Sequence, residues 1–497
     1  MSSTGESIPP QGSRWTSTIH TQPPVENRAR LADVSIDRPL ARALPTEAGV
    51  DPAGVHAFLD GLARRRIDLH SLHLLRRGRL VAEATWAPYR PDDAPLLYSL
   101  SKTFCSAAVG LAVADGALSY DDRLVDLFAD VVTDAGPIAS RIRVRDCLAM
   151  ATGHTSDTVW NPRVAQAPGR SPWRTTLGVE PDGEPGATFC YNQWATWTLA
   201  EVVRHATGSS VLDLLRARVF GPLGITHATW DTDPARRVLG FSGLRLAPEA
   251  IASFFQLLAD DGVRDGERIL PVEWVTRHRQ RHVETAPTQQ NPDWAQGYGW
   301  QVWHDTHGGY RGDGAFGQFG IIMPTQEAVL VLTGLTLRMQ EVLDEVWASL
   351  LPAFDRPGTG DDHQLAGRLA RAALPTVGGE RGGPVHLSFE NRTNRWHLMD
   401  DADGWQLRWV DADGGDNRIP VGFGHWRRGE MTWVGRRLQV AASGAWVGWG
   451  HWVGHVVTLD APHGVLVRLR DDGSGRMEWV ESAPLGATSL AGLAVRG

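Results

Sequence analysis

Tyr98-Ser99-Leu100-Ser101-Lys102-Thr103-Phe104 holds the only lysine of the 497-residue chain; the rest of its 49 basic side chains are arginines. Arginine serves wherever a permanent cation is wanted, but it cannot lose its proton near neutral pH, whereas a buried lysine can. Ser99 stands three residues before Lys102, so on a helix the hydroxyl and the amine share a face. A desolvated amine beside a hydroxyl is a general base beside a nucleophile. The plain alternative is a chance S-x-x-K, and the sole lysine argues against it. A free lysine has a pKa of about 10.4, so a base working near neutrality must have its charged form destabilised by about 4 kcal/mol. The run SKTFCSAAVGLAVADG (101–116), small and apolar nearly all round, reads as a buried helix closed by Gly116 and able to supply that desolvation. Ser99 then sits at a helix N-terminus, where free backbone N–H groups favour developing negative charge.

Outward from this stretch the pattern is mixed. DPAGVHAFLDGLARRR (51–66) predicts an amphipathic helix capped by Asp51, and SLHLLRRGRLVAEATW (71–86) a hairpin turning at Arg77-Gly78-Arg79. Residues 118–240 read as a helical insertion with long loops. It contains IRVRDCLAMATGH (142–154) as one helix, WATWTLAEVVRHATG (194–208) as another and LDLLRARVFGPLG (212–224) as a third. PEAIASFFQLLADDG (248–262) predicts a further helix with Pro248 in its first turn. Strand patterns return at GYGWQVWH (297–304), AFGQFGIIMP (315–324) and EAVLVLTG (327–334), before a last helix, RMQEVLDEVWASLLP (338–352). Strands at both ends with helices between and after predict an α+β fold, one antiparallel sheet flanked by helices with a helical subdomain inserted.

Four segments result: residues 1–45 as an extended arm, 46–355 as a catalytic domain, 356–383 as a linker, and 384–497 as a separate antiparallel β domain. In the last, short alternating runs divided by Gly and Asp predict a small barrel or sandwich. Its nine tryptophans are expected to fill the middle of that domain rather than form a carbohydrate-stacking face.

Net charge −8 with scattered arginines argues against a nucleic-acid footprint. No apolar run reaches a membrane span, so no membrane partner is expected. The start lacks the basic-then-apolar layout of a secretory signal. Three cysteines (Cys105, Cys147, Cys190) make no disulfide framework. A cytoplasmic location is the expectation, and a homo-oligomer stays open. His278-x-x-x-His282 lacks the glutamate of a zinc protease, so neither a metal nor any other cofactor is expected.

Two further stretches join Ser99-x-x-Lys102: PGATFCYN (185–192), a turn delivering Tyr191 just before a helix, and DGAFGQF (313–319), a Gly-rich entry to a strand. With these the sequence resembles the serine β-lactamase-like hydrolases, which include class C β-lactamases, low-molecular-weight penicillin-binding proteins, related esterases and 6-aminohexanoate-dimer hydrolases. The resemblance runs from about Ala48 to Pro352. It is supported by IRVRDCLAMATGH and by GFSGLRLAPEAIASFFQLLADDG (240–262), similar to the family's later loop and helix. It implies that Ser99 is the acylated nucleophile, Lys102 its activating amine and Tyr191 a proton relay. It further implies an oxyanion site made by the backbone N–H groups of Ser99 and Phe316.

This chain departs from the family pattern twice. The tyrosine motif usually has asparagine two places on; here Gln193 stands there, with Asn192 between. The third stretch has no Lys-Thr-Gly or His-Thr-Gly to hold a substrate carboxylate; Asp313 and Phe316 occupy it, and an acid or a phenyl would repel or ignore such a group. Asn192, Gln193, Ala315, Gly317, Trp303 and Arg311 are the further candidate substrate-binding residues. The favoured expectation is a hydrolase of a small ester or amide. The alternatives are a β-lactamase or D-Ala-D-Ala-type peptidase, and a non-catalytic binding protein on a hydrolase scaffold.

Overall fold

The computed structural model describes residues 36–130, 135–157, 179–233, 235–356, 358–382, 386–390, 395–410, 415–433, 436–448 and 450–481. Two β-rich runs form the predicted hairpin, β1 (Asp68–Arg76) and β2 (Arg79–Thr85). Between it and the rest of the sheet lie two small two-stranded pairs: β3 (Thr229–Trp230) with β4 (Leu244–Arg245), and β5 (Val263–Arg264) with β6 (Glu267–Arg268). The sheet then resumes with β7 (Trp303–His304), β8 (Tyr310–Gly314), β9 (Gln318–Met323) and β10 (Ala328–Leu335). Its order is β2-β1-β10-β9-β8-β7, antiparallel throughout. The first hairpin thus pairs with a strand some 250 residues later through the register Leu72↔Leu332.

Period-2 alternation decides which side chain faces which layer. Leu330 and Leu332 point to a core shared with α1 (Pro52–Arg64) and the helix Met339–Glu345. Val329 and Val331 point to the opposite core, shared with α2 (Ser101–Ala114) and the helix Pro248–Ala259. With both faces covered, these strands read as nearly continuous apolar runs. Asp51 caps α1, accepting from Ala53 N at 2.9 Å.

Four elements differ from their sequence patterns. The 142–154 run is α-helical only over Val144–Leu148. Met150 and Gly153 take positive φ there, and the Met150 and Ala151 carbonyls accept from Cys190 N and Gly186 N; this ties the segment to the tyrosine loop instead. The runs 212–224 and 338–352 begin as α-helix (Val211–Leu215, Met339–Glu345) and continue in wider π turns (216–220, 346–350). Of GYGWQVWH only Trp303–His304 joins the sheet. Gln301, at φ 63°, turns inward and its amide donates to the Cys147 and Leu148 carbonyls.

The C-terminal residues form one nine-stranded sheet: β11 (His386–Glu390), β12 (Arg395–Asp401), β13 (Gly404–Val410), β14 (Asp416–Gly422), β15 (Arg427–Trp433), β16 (Arg436–Trp446), β17 (His451–Thr458), β18 (Gly464–Arg470) and β19 (Gly475–Trp479). It curls, so that β11 packs back against β18. Trp396, Trp405, Trp409 and Trp452 fill its interior. Trp396 of β12 and Trp409 of β13 stack at 4.9 Å. This sheet is seated on the N-terminal one through Tyr89, Leu374, Ala441, Val457 and Leu459, and through an Arg428–Asp93 ion pair at 2.6 Å.

Candidate active site

A 3₁₀ turn, Tyr98–Leu100, leads directly into α2, so Ser99 lies just ahead of the helix and Lys102 in its first turn. The expected shared face is realised: Lys102 Nζ is 2.9 Å from Ser99 Oγ. Glycines bring this turn against the sheet. Gly312 of β8 and Gly320 of β9 stand opposite each other in register. A Cβ on Gly312 would lie 2.6 Å from Leu100 Cδ1 and Thr103 Oγ1, and one on Gly314 would lie 2.1 Å from the Leu97 carbonyl oxygen.

Lys102 is 1% exposed. Its amine donates to Gln193 Oε1 at 2.6 Å and to the Phe241 carbonyl at 2.9 Å, and lies 4.9 Å from the centre of the Tyr191 ring. Desolvation lowers its pKa to about 7, opposed by the negative charge of Asp157. Tyr191 is hydrogen-bonded to Ser99, yet burial raises its phenol well above the ordinary value. Trp303 stacks on the Tyr191 ring at 5.6 Å and 17° and holds it in place.

The two amides after Tyr191 divide the work. Asn192 is fully buried and caps the helix Gln193–Thr207, its Oδ1 accepting from Trp194 N at 3.0 Å. Gln193 instead reaches Lys102, and its own N–H donates to Asp157 Oδ1 at 3.1 Å. On the third stretch, Phe316 and Gly317 both take positive φ, 68° and 85°. The Phe316 carbonyl accepts from Thr336 N and from Gln318 Nε2, while its N–H has no backbone or side-chain acceptor among the described residues. Ala315 lies in the same turn, its carbonyl accepting from Gln318 Nε2 at 3.3 Å. Arg311 is completely buried; its guanidinium lies 4.6 Å over Trp294, donates to the His304 carbonyl and pairs with Asp313 at 3.0 Å. Burial raises the Asp313 carboxyl to about 6 despite that pair. Among the described residues no cluster of His, Cys, Asp or Glu is arranged to hold a metal ion, and no helix is long and apolar enough to cross a membrane.

The Beta-lactamase family model matches residues 55–342, a span holding all three stretches. The chain belongs to that family. Among its relatives, 6-aminohexanoate-dimer hydrolase of Paenarthrobacter ureafaciens is 25% identical over 325 residues, 59% of this chain and 82% of that protein. Penicillin-binding protein 4 of Amycolatopsis lactamdurans is 25% identical over 308 residues, 55% and 77% of the two chains. The solved structure of EstCE1, a hydrolase with promiscuous acyltransferase activity, superposes with a TM-score of 0.50 at 17% identity, covering 60% of this chain and 99% of that one. The protein therefore belongs to a β-lactamase-fold family of hydrolases.

Two groups at the site carried no sequence signal. Phe241 contributes a carbonyl, which any residue would have. Asp157 reaches the site from a loop with no period. Gln193 was visible only as a departure from the family's motif.

Proposed function

We propose that this β-lactamase-fold protein is a serine hydrolase that cleaves a small, uncharged ester or amide through an acyl-enzyme on Ser99. The observation that carries the reading is the buried 2.9 Å contact between Lys102 Nζ and Ser99 Oγ. The Phe241 carbonyl and Gln193 Oε1 can only accept, so they engage the two N–H bonds of a neutral amine and leave its lone pair to the Ser99 hydroxyl. In acylation Lys102 takes the hydroxyl proton as Ser99 Oγ bonds to the carbonyl carbon. The carbonyl oxygen becomes an oxyanion held by the N–H groups of Ser99 and Phe316. Tyr191, whose raised pKa keeps its proton at neutral pH, hands that proton to the departing alkoxide or amine and regains one from Lys102. Water then repeats the sequence against the acyl carbon, releasing the acid and restoring Ser99.

The side chains of β8 and of the turn after it favour an uncharged substrate. Arg311, the cation of β8, is buried and neutralised by Asp313, and Phe316 adds only an aromatic ring. Nothing on that strand attracts a substrate carboxylate, which weighs against a penicillin or a D-Ala-D-Ala peptide. Turnover of p-nitrophenyl acetate against a chromogenic cephalosporin tests the choice. The expected result is ester cleavage that Ser99→Ala abolishes, with the cephalosporin left intact. Cephalosporin turnover faster than ester turnover rejects the substrate class, and an active Ser99→Ala rejects the nucleophile.

A further inference from the structure

We infer that His463, which belongs to the C-terminal sheet, is a positioning residue for the Ser99 site: its imidazole clamps together the two turns that bear Ser99 and Phe316. This rests on the serine-hydrolase reading and gives the C-terminal sheet a part in that same chemistry.

The turn between β17 and β18 (residues 459–463) enters the seam beside the nucleophile. Its shape is fixed from within by Thr458, whose hydroxyl donates to the Ala461 carbonyl at 2.7 Å and whose N–H donates to the His463 carbonyl at 2.9 Å. Its position is fixed from outside by Leu96 N–H, which donates to the Asp460 carbonyl at 2.9 Å, three residues before Ser99. His463 is 1% exposed, and its Nε2 is hydrogen-bonded to the Tyr98 hydroxyl. Its ring stands edge-on to Phe316 at 4.8 Å, and the Tyr98 and Phe316 rings lie 5.3 Å apart. The Trp479 ring stands edge-on to the imidazole at 5.8 Å.

Both residues held by this imidazole have left-handed backbones: Tyr98 at φ 49° and Phe316 at φ 68°. Neither is a glycine, and side-chain-bearing residues keep such a conformation only where their surroundings enforce it. The enforced angle at Tyr98 aims Ser99 Oγ at Lys102 and sets the Ser99 N–H; the angle at Phe316 sets the second N–H. Releasing either turn toward negative φ separates nucleophile from base and splays the two donors. Those groups act on the transition state rather than on ground-state binding, so the loss falls on kcat.

The test uses the full chain with p-nitrophenyl acetate as substrate and a fluorophosphonate as the acylating probe. His463→Ala and Tyr98→Phe are each expected to lower kcat and the labelling rate by about tenfold or more, the scale of a small misplacement of reacting groups, with KM within about threefold. His463→Gln, whose amide reaches the place of Nε2, recovers most of the loss. The double variant Tyr98→Phe/His463→Ala is no slower than the slower single variant. Thermal melts accompany each variant; if His463→Ala does not fold, Tyr98→Phe against His463→Gln decides alone. A folded His463→Ala with kcat within twofold of the parent overturns the clamp, as does a loss that lies wholly in KM or adds fully in the double variant. A parent chain that takes no label at Ser99 overturns the serine-hydrolase reading and the clamp with it, whereas a labelled parent with an equally fast His463→Ala overturns the clamp alone.

Discussion

Lys102 sits where a charged ammonium is costly and a neutral amine is well served. Its two carbonyl-type partners accept and cannot donate, and the third contact is the Ser99 hydroxyl, the proposed nucleophile. The pH dependence follows from its pKa of about 7, lowered from 10.5 by desolvation. In the proposed mechanism the active form is the neutral amine, whose fraction rises with pH. The expected profile of kcat/KM for an ester therefore climbs about tenfold per pH unit in the acid range, bends near pH 7 and is flat above it. A profile that bends near pH 10, or has no bend between 5 and 9, contradicts Lys102 as the base. Lys102→Arg places a cation there that keeps its proton, and ester turnover is expected to fall by at least about a thousandfold, since nucleophile activation is lost altogether.

At the scale of elements, the site depends on how closely α2 and the preceding turn approach β8. Alternate glycines, Gly312 and Gly314, remove the side chains that would otherwise hold the turn off the sheet. At Gly314 the obstacle is backbone, and the Leu97 segment is itself tied by Leu97 N–H to the Leu244 carbonyl at 2.9 Å. Gly314→Ala is therefore expected to cost about 1–3 kcal/mol in urea unfolding, as overpacking does, and to slow fluorophosphonate labelling because the turn that must shift carries Ser99. A variant of unchanged stability and labelling rate means that the turn is looser than this geometry requires. Gly314 was legible only as part of the Gly-rich strand entry over 313–319, and Gly312 lay outside it. That Gly312 faces Gly320 depends on strand register, which pairs residues across a second hairpin turn.

Across the whole molecule, the seam between the two sheets is lined by neutral histidines. Burial lowers His70 to about 3, His455 to about 4 and His463 to about 3. The unfolded chain protonates these side chains near pH 6.5, the folded chain only far lower, so unfolding takes up protons between those values. Their contribution is full above pH 6.5 and is lost as pH falls, by about 1.4 kcal/mol per pH unit for each histidine once below it. Asp313, raised to about 6, works in the opposite sense and offsets one of them over part of that range. Urea unfolding at pH 7, 6 and 5 is expected to show stability falling steadily, with a shallower slope in His463→Gln. Stability that is level or rises toward pH 5 excludes buried neutral histidines at the seam.

The amino-acid sequence by itself determined the α+β class, the apolar helix after Ser99, the hairpin at Arg77-Gly78-Arg79 and the two layers on the sheet. These follow from local periodicity, caps and turns, which act over a few residues. It also put Ser99 and Lys102 forward, because one lysine among arginines is visible without a fold, and the resemblance to a known family added Tyr191. Tertiary structure alone decided which partners surround them. The helix expected over 142–154 stops at Leu148 because the carbonyls beyond it bond to the tyrosine loop. The nearest amide to Lys102 is Gln193 because Asn192 is engaged in capping its own helix. His463, 364 residues after Ser99 in the chain, reaches Tyr98 only because the C-terminal sheet is seated against the N-terminal part of the chain. Such contacts join residues far apart in the chain, and no local pattern encodes them.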